Sequence, residues 1–142
     1  MNRPVLPVVL PVVLAGFVIG IALALTTGLA GCGSSDMACE GDHCVCPTDA
    51  PCSHACATGG NACEVQCAPG EPCSVGCAAG EHCHVECSSA ASCAVDCGSS
   101  PDCEVTCPAT GCTVHSCTGP ACQVTCGLGS LPSHSGATAT CP

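Results

Sequence analysis

An all-β fold, a short-runged β-solenoid of about ten-residue coils braced by disulfides, is the architecture this sequence predicts. Three observations predict it. Cysteine accounts for 21 of the 142 residues, far above ordinary usage. Most of these cysteines spell Cys-x-Val-x-Cys, repeated on a near ten-residue rhythm. Beyond residue 32 the chain has no Phe, Tyr or Trp, so a short series of valines is the only regular apolar material for a core. The alternative with the same composition is an irregular array of small disulfide-rich loops.

In chain order, residues 1–31 read as an export signal. Arg3 and the amino terminus supply positive charge, and residues 5–25 form an apolar or small run interrupted by Pro7, Pro11, Gly16 and Gly20. No basic stop-transfer cluster follows, which argues against a membrane-spanning anchor. Leu29-Ala30-Gly31-Cys32 matches the bacterial lipobox, and here the chain resembles a lipoprotein precursor. That resemblance covers residues 1–32. It implies cleavage between Gly31 and Cys32, a diacylglyceryl group on the Cys32 sulfur and acylation of the new amine. Two or three acyl chains anchor a protein stably, so the membrane is an expected partner through the lipid alone. Gly33, rather than Asp, follows the lipidated position, which implies the outer membrane if the host is diderm.

Charge narrows the function classes. Arg3 is the single Lys or Arg, and all 11 acidic residues lie beyond Cys32. A nucleic-acid groove needs Lys and Arg to displace counterions, so nucleic acid is excluded as a partner, and arginine-based phosphate clamps with it. Residues 32–51 read as the lipidated cysteine, a tether and an N-terminal cap that carries Cys39, Cys44 and Cys46.

Residues 52–126 are the repeat. Its cysteines fall into the pairs Cys52/Cys56, Cys63/Cys67, Cys73/Cys77, Cys83/Cys87, Cys93/Cys97, Cys103/Cys107, Cys112/Cys117 and Cys122/Cys126. His54 stands in the first unit where the others carry valine. The unit CTVHSC has one extra residue and the linker before it one fewer, so the rhythm is restored at Cys122. Side chains of an extended segment alternate faces, which puts Cys, Val and Cys inside and the two intervening residues outside. Those outward residues, such as Glu64/Gln66, His84/Glu86 and Glu104/Thr106, are mostly polar. Linkers such as APGEP and GSSPD are rich in turn formers. Over this stretch the chain resembles the disulfide-braced solenoids of insect antifreeze proteins, in architecture only. The resemblance implies cystines in the interior. It does not imply ice binding, because the outward positions carry no regular array of Thr. Residues 127–142 read as a C-terminal cap or loose tail pinned by Cys141.

Setting Cys32 aside leaves 20 cysteines, an even number in an exported chain, as a complete disulfide set requires. Their pairing stays open. A fully extended Cys-x-Val-x-Cys holds its cysteine Cα atoms about 13 Å apart, beyond the reach of a bond. Either each coil bends sharply there, or each cysteine bonds across the linker or to a neighbouring coil. The rival is a thiolate metal cluster, which favours C-x-C and C-x-x-C bites. The chain has one C-x-C, at Cys44 and Cys46, and no C-x-x-C.

The one local constellation is Glu81-His82-Cys83-His84-Val85-Glu86. His82, His84 and Glu86 on an outer face, with Asp96 expected one coil along, are candidate ligands for Zn²⁺, Cu²⁺ or Ni²⁺. A plain solvated face is the competing reading. His43, His54, His115 and His134 read as surface or turn residues. No catalytic residue and no cofactor are expected: a cysteine nucleophile is consumed as cystine, and neither G-x-S-x-G nor H-E-x-x-H occurs. The expectation is a non-enzymatic, exported, lipid-anchored protein of the bacterial envelope with a structural or interaction role. Its protein or envelope partner is not specified by the sequence. A metal-sequestering lipoprotein, through thiolates or the His82/His84/Glu86 patch, is the alternative.

Overall fold

A β-branched residue flanked by turn-forming linkers favours a short strand, and the Val-centred units all become strands. The computed structural model describes residues 37–79 and 81–142; Gly31, Cys32 and the signal lie outside the described residues. The strands are β1 (Ala38–Glu40), β2 (His43–Val45), β3 (Cys52–Ala55), β4 (Ala62–Gln66), β5 (Pro72–Gly76) and β6 (His82–Glu86). They continue as β7 (Ser92–Asp96), β8 (Asp102–Thr106), β9 (Cys112–His115), β10 (Cys122–Thr125), β11 (Ser133–Ser135) and β12 (Thr138–Cys141). Among the described residues there is no α-helix.

The chain is an all-β solenoid, with two facing sheets of six strands each. Sheet A runs β1-β2-β4-β6-β8-β10, and sheet B runs β11-β12-β9-β7-β5-β3. Successive repeats therefore alternate between the sheets. Cys63 pairs with Cys83 and Val65 with Val85, in parallel, so the chain returns to the same place after two repeats. Each ten-residue repeat is thus half of a turn rather than a whole coil. The reason is reach: a five-residue strand advances about 16 Å, and a linker consumed in reversing direction cannot also bring the chain back. A second strand makes the return.

Between the sheets lie Val65, Val75, Val85, Val95, Val105 and Val114, none more than 2 % exposed. Cystines close the two sides. All twenty described cysteines are paired, and the commonest bond joins the last cysteine of one unit to the first of the next, across the linker. These are Cys46–Cys52, Cys56–Cys63, Cys67–Cys73, Cys77–Cys83, Cys87–Cys93, Cys97–Cys103, Cys107–Cys112 and Cys117–Cys122, with Cα atoms 5.2–6.2 Å apart. Of the pairings the repeat allows, the linker-spanning one is formed. The bonds stack as two columns, one at each side of the solenoid. Neighbours within a column touch, as with the Sγ atoms of Cys46 and Cys73 at 3.9 Å and of Cys97 and Cys122 at 3.8 Å. A cystine sulfur has no proton to donate, so these are packing contacts.

The remaining two cystines serve the caps. Cys39–Cys44 ties β1 to β2 in an antiparallel hairpin, and Cys44 occupies the inner place opposite Val65. At the other end, residues 133–141 fold back as the β11–β12 hairpin. β12 lies antiparallel against β9, with Ala139 fully buried opposite Val114 and Cys141 bonded to Cys126. The extra residue of the CTVHSC unit is absorbed at Ser116, whose φ of 56° kinks the chain after β9. Gly111, at φ 93°, has no room for a side chain: a Cβ there would lie 2.8 Å from the Cys141 carbonyl oxygen.

Candidate functional site: an imidazole–carboxylate face

Because successive repeats build opposite sheets, they also build opposite outer faces. On sheet A the pairing registers set His43, Glu64, His84, Glu104 and Gln123 in one row across the strands. The parallel row is Val45, Gln66, Glu86, Thr106 and Thr125. On sheet B the corresponding rows are Ser53, Ser74, Ala94, Thr113, Thr140 and Ala55, Gly76, Asp96, His115, with the Thr138 hydroxyl 3.5 Å from His115 Nδ1. One face concentrates imidazoles and carboxylates. The other is made largely of small side chains.

The first sheet A row alternates His, Glu, His, Glu on strands about 4.8 Å apart. His43 Nδ1 lies 3.2 Å from Glu64 Oε2, and His84 Nδ1 lies 3.3 Å from Glu104 Oε2. Beside them His82 Nδ1 is 3.5 Å from Asp102 Oδ2, one strand along. Both partners in every pair are about half exposed or more, so these are weak surface attractions as contributors to stability. Their chemical effect is on orientation. A neutral imidazole that donates its Nδ1–H to a carboxylate keeps its lone pair on Nε2, the arrangement by which carboxylates orient metal-binding histidines. His43, Glu64, Gln66, His84 and Glu86 line a shallow depression of about 250 Å³ on this face.

Two carboxylates within these rows, Glu86 on sheet A and Asp96 on sheet B, are engaged by their own turns. Burial pushes the Glu86 carboxyl up, but hydrogen bonds from Ser88 and Thr106 and the neighbouring His84 outweigh it and hold the group below its usual range. The Ser88 amide donates to Glu86 Oε1 at 2.9 Å. Asp96 is likewise lowered, by the Ser116 hydroxyl first and then by the Gly98 amide, which donates to its Oδ1 at 3.0 Å.

His82, His84 and Glu86 share the outer face of β6, as the alternation of an extended strand requires. Asp96 does not join them. It belongs to β7 on sheet B, because a residue ten positions on has moved half a turn to the opposite sheet. The neighbours of Glu86 across the strands are Gln66 and Thr106. His43, Glu64, Asp102 and Glu104 are the partners that sequence reasoning missed, and a twenty-residue period in the outward residues was the signal for them. His54, expected at the surface, takes the valine place on β3 opposite Val75. There it is half-buried, with Nε2 3.8 Å from Cys44 Sγ. The described cysteines are held as cystines and offer no thiolate to a metal in this oxidation state. Compared with protein-family models, with curated proteins and with solved structures, the chain has no match.

Proposed function

We propose that this chain is a non-enzymatic lipoprotein of the bacterial envelope, held to the membrane at Cys32, in which a cystine-locked solenoid presents the sheet A face for interaction. One observation carries the reading. The interior is filled by valine and cystine, while the ionisable groups of alternate repeats are gathered on one flat outer face. An arrangement of that kind supports surface recognition rather than turnover, which needs a water-excluding pocket for its reacting groups. The lipobox supports the anchor, and the twenty cysteines of the described residues form an even, complete set without it. Intact mass of the chain from membranes of an exporting host tests it. A lipid-bearing N-terminus at Cys32, lost together with membrane retention in Cys32→Ala, is the expected result. An unmodified Cys32, or a Cys32→Ala chain still retained, refutes the anchor.

A second reading, metal binding, is favoured by the Nδ1–carboxylate pairs of His43 and His84, which leave Nε2 as the ligand atom on each ring. Titration of the oxidised chain with Zn²⁺ and Ni²⁺ separates the two readings. Stoichiometric binding that disappears in His43→Ala/His84→Ala supports a metal-sequestering face. Absence of binding leaves the interaction role alone.

A further inference from the structure

A glutamate in a linker is normally solvated, and Glu81 is not. It is 1 % exposed, the one buried charged residue among those described. Its Oε1 accepts the Gly60 amide at 2.7 Å, and its Oε2 has no hydrogen-bond partner among the described residues. Those residues contain no Lys or Arg to balance the charge. A buried carboxylate with an unanswered oxygen is strongly disfavoured unless something else meets it.

The surroundings show what fits. Glu81 lines a cleft of about 240 Å³ at the end of the solenoid nearest the β1–β2 hairpin, together with Gly41, Asp42, His54, Gly60 and Ala62. A Cβ at Gly60 would sit 3.2 Å from Glu81 Oε1, 3.5 Å from Asp42 Oδ1 and 3.5 Å from the Ala62 carbonyl oxygen. Three oxygens from three successive levels of the stack therefore converge beside one residue that has no side chain. The backbone fixes those levels. Glu64 donates its amide to the Asp42 carbonyl at 2.8 Å, His82 donates to the Asn61 carbonyl at 3.2 Å, and the Ser100 hydroxyl donates to the Glu81 carbonyl.

We propose that this cleft is a calcium site, with the Glu81 and Asp42 carboxylates and the Ala62 carbonyl as its protein ligands. The donors are all oxygen, which suits a hard cation rather than Zn²⁺ or Cu²⁺. They are few and irregularly placed, with room for water, which suits Ca²⁺ better than the strictly octahedral Mg²⁺. Bound there, the ion clasps the N-terminal hairpin to the turn carrying Gly60 and the turn carrying Glu81. The site is separate from the sheet A face and stands or falls independently of the proposed function.

Calorimetric titration of CaCl₂ into the chelator-treated, fully oxidised full chain tests it, alongside thermal melts followed by circular dichroism. The expected result is one Ca²⁺ per chain with a Kd of about 10⁻⁴–10⁻³ M, the range of weakly charged extracellular sites, and a Tm that rises with calcium. Glu81→Gln abolishes that binding. Asp42→Asn, a change of charge without change of shape in an exposed turn, weakens binding about tenfold or more. His43→Ala/His84→Ala leaves it unchanged. No binding and no Tm shift up to about 10 mM calcium overturns the site, as does wild-type affinity in Asp42→Asn. Tighter binding of Mg²⁺ than of Ca²⁺ overturns the calcium assignment.

Discussion

Removing one central cystine measures how much of the fold rests on covalent bracing. The paired substitution Cys87→Ala/Cys93→Ala deletes a bond whose ends are six residues apart and leaves no unpaired thiol to reshuffle. Closing a loop of about seven residues restrains the unfolded chain by about 2.4 kcal/mol at 25 °C on the chain-entropy relation. Cys87 and Cys93 are 0 % and 5 % exposed, so losing both sulfurs also removes buried packing, of order 1 kcal/mol for each. The expected loss is therefore about 4 kcal/mol. The same change at Cys126–Cys141, whose ends are fifteen residues apart, releases a longer loop and should cost about 0.7 kcal/mol more in chain entropy. Guanidinium unfolding followed by far-UV circular dichroism is the assay, because no Trp or Tyr is present to report by fluorescence. A loss below about 1 kcal/mol at the central bond would mean that stacked neighbours hold the turn without the covalent link, and the bracing account would fall.

Val85→Ala should cost about 1.5–3 kcal/mol, since Val85 is fully buried between the sheets, whereas Val45→Ala, at a site 38 % exposed, should stay within about 0.5 kcal/mol; chemical denaturation reads both. Gly111→Ala meets both a left-handed φ of 93° and the Cys141 carbonyl, so it should lower stability by more than the about 1–2 kcal/mol expected of Gly70→Ala, which has φ 77° and open space. Glu86 and Asp96 have folded-state values below their usual range, so the stability they contribute is present above the unfolded carboxylate range and lost as pH falls through the folded values. Melting temperature followed from pH about 6 to about 2 should fall, and Glu86→Gln or Asp96→Asn should flatten that fall.

The inward and outward assignment of every Cys-x-Val-x-Cys unit was legible because strand periodicity depends only on local alternation. The bracing was legible for a similar reason, since a chain with so few apolar residues beyond Cys32 has little else to fill a core. The number of strands per turn was not. A ten-residue spacing of cysteines is equally the period of a one-strand coil and of half a two-strand coil, and the cysteine pattern by itself does not separate them. Asp96 was misplaced by that step, and the Glu64 and Glu104 partners of the histidines went unseen through it. The outward residues carried the answer, because His43, Glu64, His84 and Glu104 come from every second repeat while Ser53, Ser74 and Ala94 come from the repeats between. Glu81 was opaque for a different reason. Its burial depends on Asp42 and Gly60, which other levels of the stack bring to it, and no local pattern encodes that meeting.

The linker-spanning cystines also set how the molecule answers force. Each bond joins the two ends of a turn, so tension applied at the chain ends passes from strand to sulfur to strand and never loads the residues in between. Pulled apart, the strands can peel, yet the turns stay as closed rings and their length is withheld from the extended chain. Peeled but oxidised, each repeat spans about 20 Å, four extended steps plus one cystine, whereas a reductant frees all ten residues to about 35 Å, so reduction lengthens the fully drawn chain a little under twofold.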